Sequence, residues 1–261
     1  MKMTTAAIGG LLLALTLNPL AGRAATVDFE DLAPGTIVSE VFSSAPESIG
    51  PIGVFGVNPQ AAGLNAAVIF DSAAPNGDPC GGGLDLDLGT PNEAFGGPGV
   101  GDAGASNTEA LGNLLIVNEA CGLGGASVDR PNDADNPDSP ISFDFSAIGP
   151  VTINSLSLID VEAAEAPATV ELFDAGGGLL ADFVLPQTGD NGVIRNSPLG
   201  PTPDVTFMVV TLGGSGAIDE LDFDLEPPVC SLGDFVFLDE NEDGIQDPLD
   251  LAIADVKLNL T

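Results

Sequence analysis

Short runs of alternating apolar and polar residues, each closed off by Gly, Pro, Asn or Asp, constrain this chain more than any other feature. "TVDFEDL", "AAVIFD", "NLLIVNE", "ISFDF", "INSLSLIDV", "ATVELFDA", "LLADFVL", "TFMVVTL" and "AIDELDFDL" follow one another between residues 26 and 225. A period of two places one set of side chains on a buried face and the other toward water, which is the pattern of a half-buried strand. No window sustains a helical period without a breaker. "DAGGGLL", with its glycines between two such runs, signals a hairpin. About two hundred residues of this kind can bury one substantial core. The expected fold is all-β: an antiparallel β-sandwich or jelly roll over 25–226. Residues 72–107 break the pattern, being glycine-rich, acidic and poor in strand formers. A stretch of that length inside a domain is usually functional or mobile.

The N-terminus sets the compartment. Lys2, the apolar "AAIGGLLLALTL" and the small residues of "NPLAGRA" read as a secretory signal peptide over 1–24, with cleavage after Ala24. The apolar segment is too short for a stable membrane span, and no other stretch is long and apolar enough to be one. The expected location is extracellular or on the cell surface. Loss of the leader leaves Arg130, Arg195 and Lys257 against 39 acidic residues. Such a surface repels nucleic acid and anionic membranes and attracts cations. High salt would screen the same charge, so acidity alone does not distinguish ion binding from a saline habitat.

Three cysteines in an exported chain suggest one disulfide and one cysteine left over. Cys80 and Cys121 fall in the same domain and are the expected pair. Their bridge would close a loop of roughly 40 residues, worth ~4 kcal/mol of denatured-state entropy in the chain-entropy model. Cys230 sits in the Pro-rich linker 227–230, after "EPP".

The absences narrow the chemistry. Without histidine, neither a Ser-His-Asp nor a Cys-His arrangement can be built. The mature chain's one lysine, Lys257, lies beyond the sandwich, which therefore has no lysine nucleophile. Paired carboxylates can hydrolyse glycosides, but the stacking aromatics common in sugar clefts are missing, since the chain has no Trp or Tyr. The expectation is a non-catalytic module. A carbohydrate-binding module is the alternative, and a glycosidase a third class.

Residues 239–250 carry the clearest local signal. "DENEDGIQDPLD" places side-chain oxygens from Asp239, Asn241, Asp243, Asp247 and Asp250 at loop positions 1, 3, 5, 9 and 12, with Gly244 at the bend and the Ile245 carbonyl at position 7. That is the ligand order of a calcium loop. The flanking "FVFL" and "DVKLNL" have strand character, so the loop is expected to join two strands. "SLGDFVFLDENEDGIQD" resembles the opening of the calcium-binding, immunoglobulin-like B-type repeats of serine-aspartate-repeat surface adhesins. The resemblance implies a rigid spacer beginning at 231, with only its first strands falling within 231–261.

More weakly, "VDFEDLAPGT", "AVIFDS", "SLIDVE", "VELFD", "TGDNGV" and "SGAIDELDF" resemble β-sandwich domains of secreted bacterial proteins with PEP-CTERM-type sorting signals. Their fold is similar to the galactose-binding-like jelly roll, in which first and last strands lie together and often share a structural calcium. The resemblance implies a second calcium at Glu30, Asp31 and Asp219, with Glu220 close by. Outward-facing strand acids are the competing account of these residues. Asp71, Asn76 and Asp78, and likewise Asp129, Asp133, Asp135 and Asp138, could ligate a cation, but their composition favours solvated loops. Calcium is the expected cofactor, and an extracellular glycan or protein the expected partner.

Overall fold

The structure, a computed structural model, describes residues 23–75, 84–102, 104–163 and 165–226, together with the backbone of 237–238 and 251–252. Residues 22–226 form one compact unit of two antiparallel sheets, the expected all-β sandwich. The first sheet has the order β10 (Val193–Val205), β7 (Val151–Ile159), β12 (Ala217–Leu225), β5 (Asn113–Val117), β4 (Ala67–Asp71), with β1 (Arg23–Val27) also paired to β12. The second runs β2 (Glu40–Val41), β3 (Ile52–Gly56), β6 (Pro140–Asp144), β11 (Phe207–Thr211), β8 (Thr169–Phe173), β9 (Leu179–Val184). First and last strands lie together: Ala25 pairs with Phe223 and Val27 with Leu221. β1 begins at Arg23, just ahead of the expected cleavage point, and its buried positions, Ala25 and Val27, follow that point.

Alternation decides which side chains meet between the sheets. Phe143, Ile153, Val170, Leu172, Met208 and Phe223 point inward and are fully buried. Phe145 and Phe223 meet with ring centroids 5.7 Å apart in a tilted arrangement, a geometry that aromatic quadrupoles favour. Each such burial contributes roughly 1.5–3 kcal/mol.

β4 and β5 depart from simple alternation, because nearly every residue in them is buried. Ala67, Ile69, Leu115 and Val117 face the main core. Val68, Phe70, Leu114 and Ile116 face a second apolar cluster, joined by Leu88 and Leu111. Leu88, in the described part of the glycine-rich excursion, therefore packs on the outer face of the first sheet. The hairpin read from "DAGGGLL" is also present: β8 and β9 pair across Asp174–Gly178, whose Asp174 carboxylate accepts from the amides of Gly176 and Gly178.

Three strands escape the sequence pattern. β10 contains Pro198, Gly200 and Pro201, and its pairing with β7 shifts register around them. It lies at the sheet's edge, the position where a strand tolerates proline. β3, "IGVFG", is punctuated by glycine, and β2 is only two residues long.

Residues 237–238 and 251–252 form a separate antiparallel ladder, Phe237 with Ala252 and Leu238 with Leu251. It brackets the expected calcium loop. Asp239, Asn241, Asp243, Ile245, Asp247 and Asp250 themselves lie outside the described residues, as do Asn76, Asp78, Cys80, Cys230, the linker 227–230 and residues 1–22. Cys121 is disulfide-bonded. Among the described residues no helix is long and apolar enough to cross a membrane.

Candidate metal centre

Three neighbouring strands, β10, β7 and β12, end in acidic or polar turns on the same side of the first sheet. Ile159, the last residue of β7, pairs with both Val193 and Ala217. Asp160 therefore emerges between the turn that precedes β10 and the turn that precedes β12. Its backbone amide donates to Gly192 O at 3.0 Å, and its Oδ1 accepts from Asn191 N at 2.6 Å. Its Oδ2 accepts from Ser215 Oγ at 3.2 Å. Asp160 and Asn191 both adopt left-handed backbone, with φ of 58° and 54°. Asp and Asn tolerate that region better than most residues.

The excursion supplies the next layer. Asn191 Nδ2 donates to the carbonyls of Asp87 at 2.5 Å and Gly89 at 2.8 Å. Asn92 and Asn107 both donate to Asn191 Oδ1, at 2.7 and 3.1 Å. This approach explains two of the glycines: a Cβ on Gly101 would run into Asp190 Oδ1, and one on Gly99 would come within 2.8 Å of Asn191 Nδ2. Asn191 is wholly buried. It fastens Asp87 beside Asp160 while its neighbour Asp190 accepts from Asp102 N at 3.2 Å.

The result is a set of converging acids. Carboxylate oxygens of Asp87, Asp160 and Asp190 lie within 4.8 Å of one another, so this group can hold a metal ion. Asp133 comes in from a further loop. It is only 7% exposed; its Oδ2 accepts from Gly216 N and its own amide donates to Asp85 Oδ2 at 3.2 Å. Glu165 joins through Ser215, which donates to Glu165 Oε1 from both its amide and its hydroxyl.

The electrostatics are one-sided. Burial pushes Asp160 up to about 8, and the nearby Asp87 charge adds to the effect. Burial likewise raises Asp133, and it raises Asp85 together with the Asp133 and Asp87 carboxyls. Half-buried Glu162 is also raised, first by desolvation and then by Glu165 and other acids. The ion pairs among the described residues are made by Arg195 alone, with Glu109 and Glu220. Asp87 Oδ1 and Glu165 Oε2 are buried without a hydrogen-bond partner. Buried carboxylate oxygens left unpaired cost free energy unless a cation or a proton joins them.

This centre revises part of the sequence reading. Asp133, read as a residue of a solvated loop, is buried within the acid cluster, because the loop after β5 turns inward at the bridge between Asn118 and Asp133. Asp129, Asp135 and Asp138 are exposed as expected, and Asp71 accepts from Ala73 N in a turn. Glu30 and Asp219 do come near each other, with Asp28 rather than Asp31 adding to the charge on Asp219. Asp31 lines a separate groove of about 480 Å³ with Phe29, Leu32 and Val38. Glu30 Oε1 accepts from Asn113 N at 2.8 Å, and Asp219 Oδ1 from Glu220 N at 2.7 Å. Burial pushes Asp219 up to about 8, helped by Glu220, Glu30 and Asp28. Asp85, Asp87, Asp160 and Asp190 were not singled out as ligands from the sequence. Comparison with protein-family models and with curated proteins finds no match to this chain.

Proposed function

We propose that this protein is a secreted, non-catalytic module of the cell surface or extracellular matrix, whose sandwich is locked by calcium. One observation carries the reading: Asp87, Asp160 and Asp190 converge from three chain segments, and Asp87 holds a buried oxygen with no partner. An all-oxygen donor set suits a hard cation. Loop-borne carboxylates at irregular angles suit calcium better than magnesium, which demands tight octahedral geometry and dehydrates reluctantly. The cation's role is structural, since its ligands tie the excursion and the turns before β10 and after β7 to one point.

The same logic extends to residues 239–250, where the ligand register and the bracketing ladder support a calcium-stiffened repeat following the sandwich. A chain with two calcium-dependent parts and no histidine fits display or spacing better than chemistry.

Thermal melts of the mature chain in millimolar calcium, in magnesium and in chelator test this. Calcium at a hundredfold its dissociation constant contributes about 2.7 kcal/mol, which for a domain of this size is roughly 5–10 °C. Magnesium should give a smaller rise. Identical melts in calcium and chelator would refute the structural cation. Turnover of chromogenic glycosides would refute the non-catalytic assignment, and binding on a glycan array in calcium would favour a carbohydrate-binding module.

A further inference from the structure

We propose that the groove lined by β1 and β2 docks a basic, extended peptide segment of another extracellular protein, which lays arginine or lysine side chains along an apolar floor. The inference goes beyond the calcium reading, because the groove shares no residue with either proposed calcium site.

Both strands that line it are sheet edges. β1 pairs only with β12, and β2 is the terminal strand of the second sheet. An edge leaves a row of backbone groups without a strand partner, and an extended peptide can pair with them. The groove's lining comes from one stretch of chain, 27–48, and its volume of about 480 Å³ lies in the range of ligand sites. Its walls are set in advance. Ser44 N donates to Thr26 O at 2.8 Å, and Ile49 N donates to Ser43 Oγ at 2.8 Å. Asn113 Nδ2 donates to the carbonyls of Phe29 and Leu32, at 3.3 and 2.7 Å. These bonds hold Phe29 at a φ of 59°, which is rare for an aromatic residue. A preformed wall lowers the ordering cost of binding.

The lining decides the ligand. Val27, Val38 and Val41 are buried and supply the apolar floor. Asp28, Asp31 and Glu40 line the same groove, with no cationic side chain beside them. None of the three joins an ion pair, since Arg195 makes those found among the described residues. Nor do they gather on a point ion: among the described residues, the acids whose oxygens converge within 4.8 Å are Asp87, Asp160 and Asp190. Carboxylates spread along an apolar floor suit a cation carried on a stem. Arginine and lysine bury their methylenes and keep the charged head at the rim. Phe42, 50% exposed, lines the groove as well and offers its ring to such a head group. A second copy of this chain is a poor occupant, because its formal net charge is −34.

Fluorescence anisotropy of the mature chain with a labelled, end-capped Arg-Val-Arg-Val peptide tests this, in millimolar calcium and about 0.15 M salt. The double variant Asp31→Asn with Glu40→Gln should weaken binding roughly tenfold, and Phe42→Ala should weaken it several-fold. All three residues are exposed, so these variants should fold as the wild type does. Glu171→Gln with Asp182→Asn removes the same charge at the opposite edge of the second sheet and should leave binding unchanged. Equal weakening by both double variants would overturn the site and leave only general attraction to an acidic protein. Equal binding of the citrulline analogue, which is neutral, would overturn the charge argument. Free butylguanidinium binding as tightly as the peptide would overturn the peptide partner in favour of a small organic cation.

Discussion

Ser157 and Asp160 lie three residues apart along the same stretch of chain, and the acids gathered around them sit in opposite electrostatic settings. At Ser157, the hydroxyl donates to Glu220 Oε2 at 2.6 Å, and Arg195 reaches the same carboxylate through both Nε and Nη2. Burial works against the charge on Glu220, yet the bonds from Arg195 and Ser157 win and hold its carboxyl below the usual range. At Asp160 no guanidinium takes part, and the charges acting on it most strongly are Asp87 and Glu162. The first group is complete within the chain. In the second, burial and neighbouring carboxylates raise the carboxyls, and no cationic side chain among the described residues offsets them.

The largest expected effect comes from removing the central acid of the proposed cation site. Asp160→Asn should abolish the sandwich's difference in melting temperature between calcium and chelator, a loss of roughly 5–10 °C. Arg195→Ala should leave that difference intact. Melts on the Asp243→Ala background keep the repeat's own calcium out of the measurement. A full calcium response in Asp160→Asn would erase the contrast between the two groups.

Asp219 offers an intermediate case, a buried acid near Arg195 but without a direct bond from it. Its carboxyl is raised to about 8 from an ordinary 3.8, by burial first and then by Glu220, Glu30 and Asp28. The folded state therefore holds this proton more tightly than the unfolded state. Below about pH 4 both states are protonated and the group is neutral toward stability. As pH rises toward 8 the unfolded chain releases its proton first, and stability falls; above 8 the full penalty is present. Asp219→Asn keeps an acceptor for Glu220 N and cannot ionise. It should match the wild type near pH 4 and exceed it by roughly 1–3 kcal/mol above pH 8. Denaturation series from pH 4 to 9 measure this. Parallel stability curves would show that Asp219 is already ionised and paired, as a ligand in a second metal site would be.

How far the sequence reveals these groups depends on whether their determinants are contiguous. β4 and β5 are legible because strand runs of apolar residues are their own signal, and β8–β9 because the glycine turn is local. β10 is hidden by Pro198 and Pro201, which an edge strand accepts but a sequence pattern counts against. The 239–250 stretch reads as a calcium loop from sequence because its oxygen-bearing residues follow one another in register. The Asp87 centre does not, since its members come from three separated segments. "SLIDVE" and "TGDNGV" look like a strand end and a turn, and they are both. What brings Asp160 and Asp190 together is the pairing of Ile159 with Val193, a tertiary fact. The one local clue was Leu88, an apolar anchor inside an otherwise polar, glycine-rich stretch, fully buried in the structure with Asp85 and Asp87 just before it.

The smallest effect concerns the self-sufficient group itself. Arg195 makes two ion pairs, but its side chain is 40% exposed and Glu109 is 72% exposed, so solvent screens much of their attraction. The pair with Glu220 is better sheltered, with Glu220 at 22%, and it is held by two guanidinium nitrogens. Arg195→Ala should therefore cost only about 0.5–1 kcal/mol at neutral pH, most of it from Glu220. Because the Glu220 carboxyl is depressed in the folded state, its contribution is present above the unfolded value near 4.5 and is lost as pH falls through the folded one. A double-mutant cycle of Arg195→Ala with Glu220→Gln isolates the pair. The coupling should shrink in 1 M salt and vanish at low pH, and neither variant should alter the calcium response. A coupling that survives low pH would mean that Arg195 acts through packing of its aliphatic stem, and the charge contrast with Asp160 would rest on Ser157 alone.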